Sequence, residues 1–170
     1  GLDPIARFSE ALDCDLFLLA CFEELDQYRP RARWEPGHPP YLGHLFETET
    51  GRTLAFRTGE RKRVLAYLRP GRPGFAQAEA ALAAPDAEWD VILAAAGLEE
   101  AAAARLRDAG AQVVDGPVRL APLLPACDLV LSHASSGLSA AALAAGAPQI
   151  GLPIHAEQVM LARALGEQGL

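Results

Sequence analysis

From Arg63 onward the chain alternates short apolar runs with helical patterns, and that alternation constrains its fold more than any other feature. Residues 63–68 (RVLAYL) read as a strand and 75–84 as a helix. A strand at 91–94 is followed by a helix at 99–108, which Gly110 closes. Then come a strand at 112–114, a short helix near 120–124, a strand at 128–132, a helix at 137–145 and a strand at 149–152. A last helix covers 155–167. Strand and helix repeating at this spacing specify right-handed crossovers and a parallel sheet.

The expected fold class is therefore α/β, a Rossmann-like doubly wound parallel sheet of five strands in the order 3-2-1-4-5. The stretch from Leu129 to Ala156 has no Asp, Glu, Lys or Arg. On length alone it could span a bilayer. His133, its serines, Gln149 and the break at Gly146-Ala147-Pro148 argue instead for a helix and a short strand buried inside the sheet structure, so no transmembrane segment is expected.

Residues before 63 have a different texture. They hold most of the aromatic residues, many prolines and the basic cluster 61–63. Residues 16–21 read as a strand and 40–45 as a second extended segment, joined by the proline-rich connector RPRARWEPGHPP. The expected division is a linker or entry segment with a partial N-terminal element over 1–62, then a Rossmann-like domain over 63–170. The sequence stops directly after a helix, at LARALGEQGL, which predicts a piece of something longer.

The 170 residues are 51% hydrophobic and 22% charged, as in a folded globular domain. The net charge of −7 excludes non-specific nucleic-acid binding, which needs a basic footprint. Cys14, Cys21 and Cys127 have apolar flanks and are expected to be buried thiols in a reducing compartment. No Cys and His spacing suggests a metal site. The first residues lack a basic segment followed by an apolar one, so a cytoplasmic protein is expected.

In a sheet of this order, ligands bind outside the carboxyl ends of the strands where the order reverses. That crevice lies between the strands at 63–68 and 128–132. The loops there, LRPGRPGF and SHASSGL, are rich in small residues and lead into helix N-termini, which favour anions. His133, Ser135, Ser136 and Gly137 are thereby candidate phosphate-binding residues, with Gly71 and Arg72 as a possible additional phosphate loop. Ser136 can equally be a plain helix cap. Glu157 and Gln158 begin the last helix, where an acid either complements the dipole or meets hydroxyls of a sugar. The loop GRPG is not a dinucleotide fingerprint.

The stretch SHASSGLSAAALAAGAPQIGLPIHAEQVMLA resembles the donor-binding signature of the GT-B glycosyltransferases of the UDP-glycosyltransferase type. The matching features are His133 at a strand end, the turn at 134–137, Gly146-Ala147-Pro148, and Pro153 through Glu157-Gln158. LLPACDLVLSH is similar to the family's lead-in, and PYLGHLFE to its linker into the C-terminal domain. The resemblance implies that His133 and the backbone amides at 135–137 contact the donor diphosphate. It also implies that Glu157 and Gln158 hold hydroxyls of the donor sugar.

By the same resemblance the fragment is the donor side of an enzyme that moves a sugar from a nucleotide-sugar, a UDP- or dTDP-sugar, to an acceptor. No metal or other cofactor is implied. The acceptor pocket and catalytic base belong to a missing N-terminal domain, so no catalytic residue is expected in this fragment and the chain alone is expected to be inactive. In this sequence the family's ribose-binding glutamate falls on Ala141, the first glycine of the turn on Ser135 and its threonine or serine on Leu138. No Phe, Trp or Tyr follows Trp89 to stack a base. These departures keep open a degenerate, non-catalytic binding or assembly domain, and a GT-B-like sugar-nucleotide epimerase is a further alternative.

Overall fold

The computed structural model describes residues 7, 15–16, 18–28, 40–84 and 88–169. Five strands form one parallel sheet: β1 (Lys62–Tyr67), β2 (Trp89–Ala94), β3 (Gln112–Val114), β4 (Leu129–Ser132) and β5 (Gln149–Gly151). Their order is β3-β2-β1-β4-β5, as the spacing predicts. The helices between and after them are α1 (Phe75–Leu82), α2 (Glu100–Asp108), α3 (Ser136–Ala144) and α4 (Ala156–Glu167).

The apolar runs form strands because both faces of the sheet are covered. Alternate residues of each strand point to opposite faces. Leu65, Ile92 and Val130 join Leu138, Ala141 and Ala142 of α3 in one core. Val64, Ala66, Val91 and Leu93 join Phe75, Ala78 and Leu82 of α1 and Leu106 of α2 in the other. In α2, Glu100 sits in the first turn and Arg105 and Arg107 in the last, the arrangement that complements a helix dipole.

The charge-free stretch has the same explanation. Residues 138–142 of α3 are all buried. The sheet covers one side of this helix, while Leu161 and Leu165 of α4, with Leu25, pack near Leu143 on the other. Small side chains let α3 fit in that slot, and a charge there would be buried without a partner. Among the described residues, no helix is long and apolar enough to cross a membrane.

Two expectations need adjustment. The helix near 120–124 is a turn followed by a 3-10 helix at Leu124–Ala126, with Pro125 at its start. The strand expected over 16–21 is, among its described residues, one parallel bridge between Leu19 and Tyr41. Leu19 N–H donates to Pro40 O at 3.1 Å and Leu42 N–H to Leu19 O at 2.9 Å. Phe17, Cys14 and the connector at 29–39 lie outside the described residues. Finally, residues 48–57 lie against the sheet domain, because Leu54 and Phe56 pack on its core. Arg57 N–H donates to the buried Asp90 carboxylate at 2.5 Å. Gly51 makes this close approach possible: its φ is +114°, and a Cβ there would lie 2.8 Å from backbone atoms of Pro117 and Val118.

Two side chains at the start of β4 differ in their electrostatics. Asp128 accepts from Arg63 N–H at 2.8 Å and lies 3.5 Å from Lys62 Nζ. The Arg63 amide, more than Lys62, holds its carboxyl below the usual range. Cys127 is half-buried against the core, outside any disulfide, and desolvation pushes its thiol from 9.0 up to about 12. A thiol that keeps its proton in the folded state but loses it in the unfolded chain favours folding below pH 9.0, and that contribution disappears as the pH rises towards about 12. Denaturation curves between pH 7 and 11 should therefore show a steeper alkaline loss of stability in the wild type than in Cys127→Ala. Equal slopes would contradict the burial of that thiol.

Candidate donor site

The reversal point of the sheet lies between β1 and β4, and one side chain ties it together. His133, at the end of β4, is buried. Its Nε2 accepts the N–H of Arg69, just past β1, at 2.8 Å. Its Nδ1 lies 2.8 Å from the carbonyl oxygen of Leu152, just past β5. Since the amide must donate to Nε2, the ring proton sits on Nδ1 and donates to Leu152. The imidazole thus links the ends of three adjacent strands. Both ring nitrogens of His133 are thus engaged by the backbone, and a contact between this side chain and a diphosphate would replace one of these two bonds.

The turn after His133 is sharp. Ala134 takes φ 55°, a left-handed conformation that is uncommon outside glycine, and its N–H is held by Ser132 Oγ at 3.0 Å. The chain then enters α3. Ser135 is the N-cap, but its side chain makes no capping hydrogen bond. Ser136, the first helical residue, is exposed. The first intrahelical bond runs from Ser139 N–H to Ser135 O at 2.9 Å, so the amides of Ser136 and Gly137 precede the ladder and face outward from the helix start. The Ser135 side chain does not bond to them, and a helix start of this kind favours an anion.

The second turn repeats this pattern. His155 is the N-cap of α4 and makes no side-chain capping bond. Glu157 lies in the first turn and is exposed. Gln158 is buried, and its Oε1 accepts Ile154 N–H at 2.9 Å. Its carbonyl end therefore shapes the loop, and Gln158 is not among the residues lining the cavity between the two turns.

The two turns meet. Ser136 and Glu157 line one cavity of about 210 Å³. Its other walls come from before the sheet: Phe22, Leu25, Asp26, Tyr28 and His44 among them. Asp26 is buried and accepts Tyr41 Oη at 2.6 Å and Tyr28 N–H at 3.0 Å. Sequence reasoning missed these residues. They reach the site across more than ninety positions, and no local pattern marks such a contact. Gly71 and Arg72 are exposed and do not line this cavity. They precede α1, whose N-cap is Gly74, and share only the Arg69 loop with His133.

Leu138 and Ala141, where the sequence departs from the expected signature, are both buried in the core. They face the sheet, away from the cavity. Among the described residues, no group of His, Cys, Asp and Glu could hold a metal ion. A second, larger hollow of about 520 Å³ lies on the opposite face of the sheet, lined by apolar side chains of α1, β1, β4 and β5.

Comparison with known proteins fits this geometry. No family model matches the chain. It is 40% identical over 87 residues to the elloramycin glycosyltransferase ElmGT of Streptomyces olivaceus, a match covering 48% of this chain and 21% of that protein. Among solved structures it is similar to the spinosyn rhamnosyltransferase SpnG complexed with spinosyn aglycone, with a TM-score of 0.67, 22% identity, and coverage of 91% of this chain and 42% of that one. It is similar also to the glycosyltransferase SnogD from Streptomyces nogalater (TM-score 0.61, 24% identity, 89% and 43% covered). A third likeness is to the glycosyltransferase SsfS6 of Streptomyces sp. SF2575 complexed with thymidine diphosphate (TM-score 0.60, 21% identity, 92% and 40% covered). The chain thus spans 21% of the curated relative and some two fifths of each solved neighbour. Sheet order and these likenesses together identify the chain as a Rossmann-like half of the GT-B glycosyltransferase fold.

Proposed function

We propose that this chain is the donor-binding domain of a glycosyltransferase that moves a sugar from a nucleotide-sugar, a UDP- or dTDP-sugar, to an acceptor. One observation carries the reading: Ser136, at the uncapped start of α3, and Glu157, in the first turn of α4, line the same cavity. The amides of Ser135, Ser136 and Gly137 would hold the donor diphosphate. Negative charge grows on that group as the glycosidic bond breaks, so fixed amide dipoles stabilise the transition state without a metal. Glu157 would accept from a sugar hydroxyl, and the Gln158 amide would donate to another. His133 serves as a positioning residue, fixing the three strand ends through its two backbone bonds. Thymidine diphosphate in the SsfS6 complex supports a nucleoside diphosphate as the leaving group.

The acceptor pocket and the base would come from an N-terminal domain, and this half alone would turn nothing over. The protein would act in the cytoplasm, without a cofactor. Thermal unfolding with millimolar UDP, thymidine diphosphate or GDP tests the reading. A ligand at a hundred times its dissociation constant adds about 2.7 kcal/mol to the folded state. We expect a rise of roughly 5–10 °C with a uridine or thymidine nucleotide. An unchanged melting temperature with all of them would overturn the reading.

A second reading has its own support. Leu138 and Ala141 lie in the apolar core, so this helix offers no carboxylate to a ribose. A binding domain without turnover would bind nucleotide in the same assay, yet its parent protein would release no nucleoside diphosphate from any nucleotide-sugar.

A further inference from the structure

The turn that starts α3 is held in a bend its own sequence does not favour. Among the described residues, Ala134 is the one non-glycine residue with a left-handed φ. A Cβ in that region crowds the neighbouring carbonyl, and such a residue persists only where its surroundings fix it. Three contacts fix this one. Ser132 Oγ accepts its N–H at 3.0 Å. His133, immediately before it, is bonded to backbone through both ring nitrogens. Its buried methyl faces Gly151 of β5.

The third contact exists because Gly151 has no side chain. Ser132 and Gly151 are register partners in β4 and β5, and Leu152 N–H donates to Ser132 O at 2.7 Å. A Cβ on Gly151 would lie 3.2 Å from the Ala134 Cβ and 3.7 Å from the Ala162 Cβ of α4. Carbon atoms pack at about 3.5–4.0 Å, so the second distance is an ordinary contact and the first is too short. Ala134 has little freedom to give way, since the bonds of Ser132 and His133 hold its backbone on both sides. Beyond Gly151 the chain runs through Leu152 and Pro153 to the start of α4. The methyl therefore rests on the strand that leads to the second turn of the site.

We propose that Ala134 is a positioning residue whose methyl, seated on Gly151, sets the spacing between the turn that starts α3 and the turn that starts α4. The diphosphate and the sugar of one donor are then held in one geometry. A glycine at 134 would relieve the strain and remove that stop, which explains why the strained residue is useful there. The role in binding rests on the donor reading; the contact between the two turns does not.

Calorimetric titration of the full chain with UDP, thymidine diphosphate, UDP-glucose and dTDP-glucose tests the role. Ala134→Gly and Gly151→Ala should each weaken the sugar nucleotide that the wild type binds by about tenfold, the scale of coupling between residues in contact. The bare nucleoside diphosphate meets one turn only and should stay within about twofold. Combining the two substitutions moves the methyl from one side of the contact to the other, so the double variant should return to within about threefold of the wild type. A double variant as weak as the two single losses multiplied would overturn the proposal, and so would wild-type affinity in both single variants. An equal loss for both ligands would also overturn it, by placing the damage in the diphosphate seat rather than in the spacing. Urea midpoints separate positioning from folding: Ala134→Gly loses a buried methyl but relaxes the bend, so its midpoint should stay near that of the wild type while its affinity falls.

Amide hydrogen exchange provides an arm without any ligand. The N–H groups of residue 134 and of Leu152, both bonded to Ser132, should exchange about tenfold faster in Ala134→Gly and recover in the double variant. If the wild type binds no nucleotide but these rates behave in that way, the contact stands and the donor reading falls. Unchanged rates in Ala134→Gly would overturn the contact, whatever the nucleotides do.

Discussion

Replacing His133 by alanine is expected to lower the stability of the domain by about 3 kcal/mol, because two backbone partners, each worth about 1–3 kcal/mol when left unpaired, lose their hydrogen bonds to the ring at once. The ring is buried, and its bonds to Arg69 N–H and Leu152 O are both 2.8 Å long. These bonds join the ends of β1, β4 and β5, the three strands that frame the candidate site. Their loss would let the Arg69 loop and the loop leading to α4 separate from the turn at 134–137. Nucleotide affinity should then fall about tenfold, a change of 1.4 kcal/mol, although the ring itself need not touch the nucleotide. His133→Phe keeps the volume and loses the bonds, so it tells polar from packing contributions. Urea unfolding measures the stability and calorimetry the affinity. Wild-type stability in both variants would show that the bonds hold nothing together.

A second substitution probes the scaffold beneath the site. Leu65 is fully buried at the centre of β1, in register with Ile92 on one side and Val130 on the other. Leu65→Ala should lower stability by 2–5 kcal/mol, roughly the range for a buried leucine whose cavity cannot close. Strands hydrogen-bonded on both edges cannot shift to fill the gap, so the upper part of that range is expected. Total stabilities are about 5–15 kcal/mol, and this one change would remove a large share. Leu65→Met, nearly equal in volume, should cost less than about 1.5 kcal/mol. The comparison requires an unchanged slope in urea, so that the shift in midpoint reports stability alone. A loss below about 1 kcal/mol for the alanine variant would contradict a close-packed centre.

Most of the sheet was legible because its signals are local. A buried parallel strand needs an unbroken apolar run, and VLA at 64–66 and VILA at 91–94 supply it. The helix starts at Ser136 and Ala156 fell within two residues of expectation, since small residues after a strand leave few other choices. Pro125 shortened the element near 124, where a 3-10 turn tolerates its missing N–H.

The site was legible in part. The two turns follow from sheet order, which pattern alone gives. What each side chain does there depends on partners distant in sequence. His133 could not be read as a tie between strands before the Arg69 amide and the Leu152 carbonyl were seen on either side of it. Gln158 looked available for a ligand, yet its carbonyl is taken by Ile154 N–H. His44 and Asp26 gave no local sign of their position, because the fold alone carries the early segment across the starts of α3 and α4.

The central claim is that the turns at 134–137 and 153–158 grip one ligand between them. Amide resonances of the full chain, followed during titration with UDP-glucose and dTDP-glucose, test it most directly. The account predicts that the amides of Ser135, Ser136 and Gly137 move together with those of Ala156, Glu157 and Gln158, with one common dissociation constant. Movement confined to one turn, or centred on the apolar hollow around Leu129 and Ile150, would contradict it.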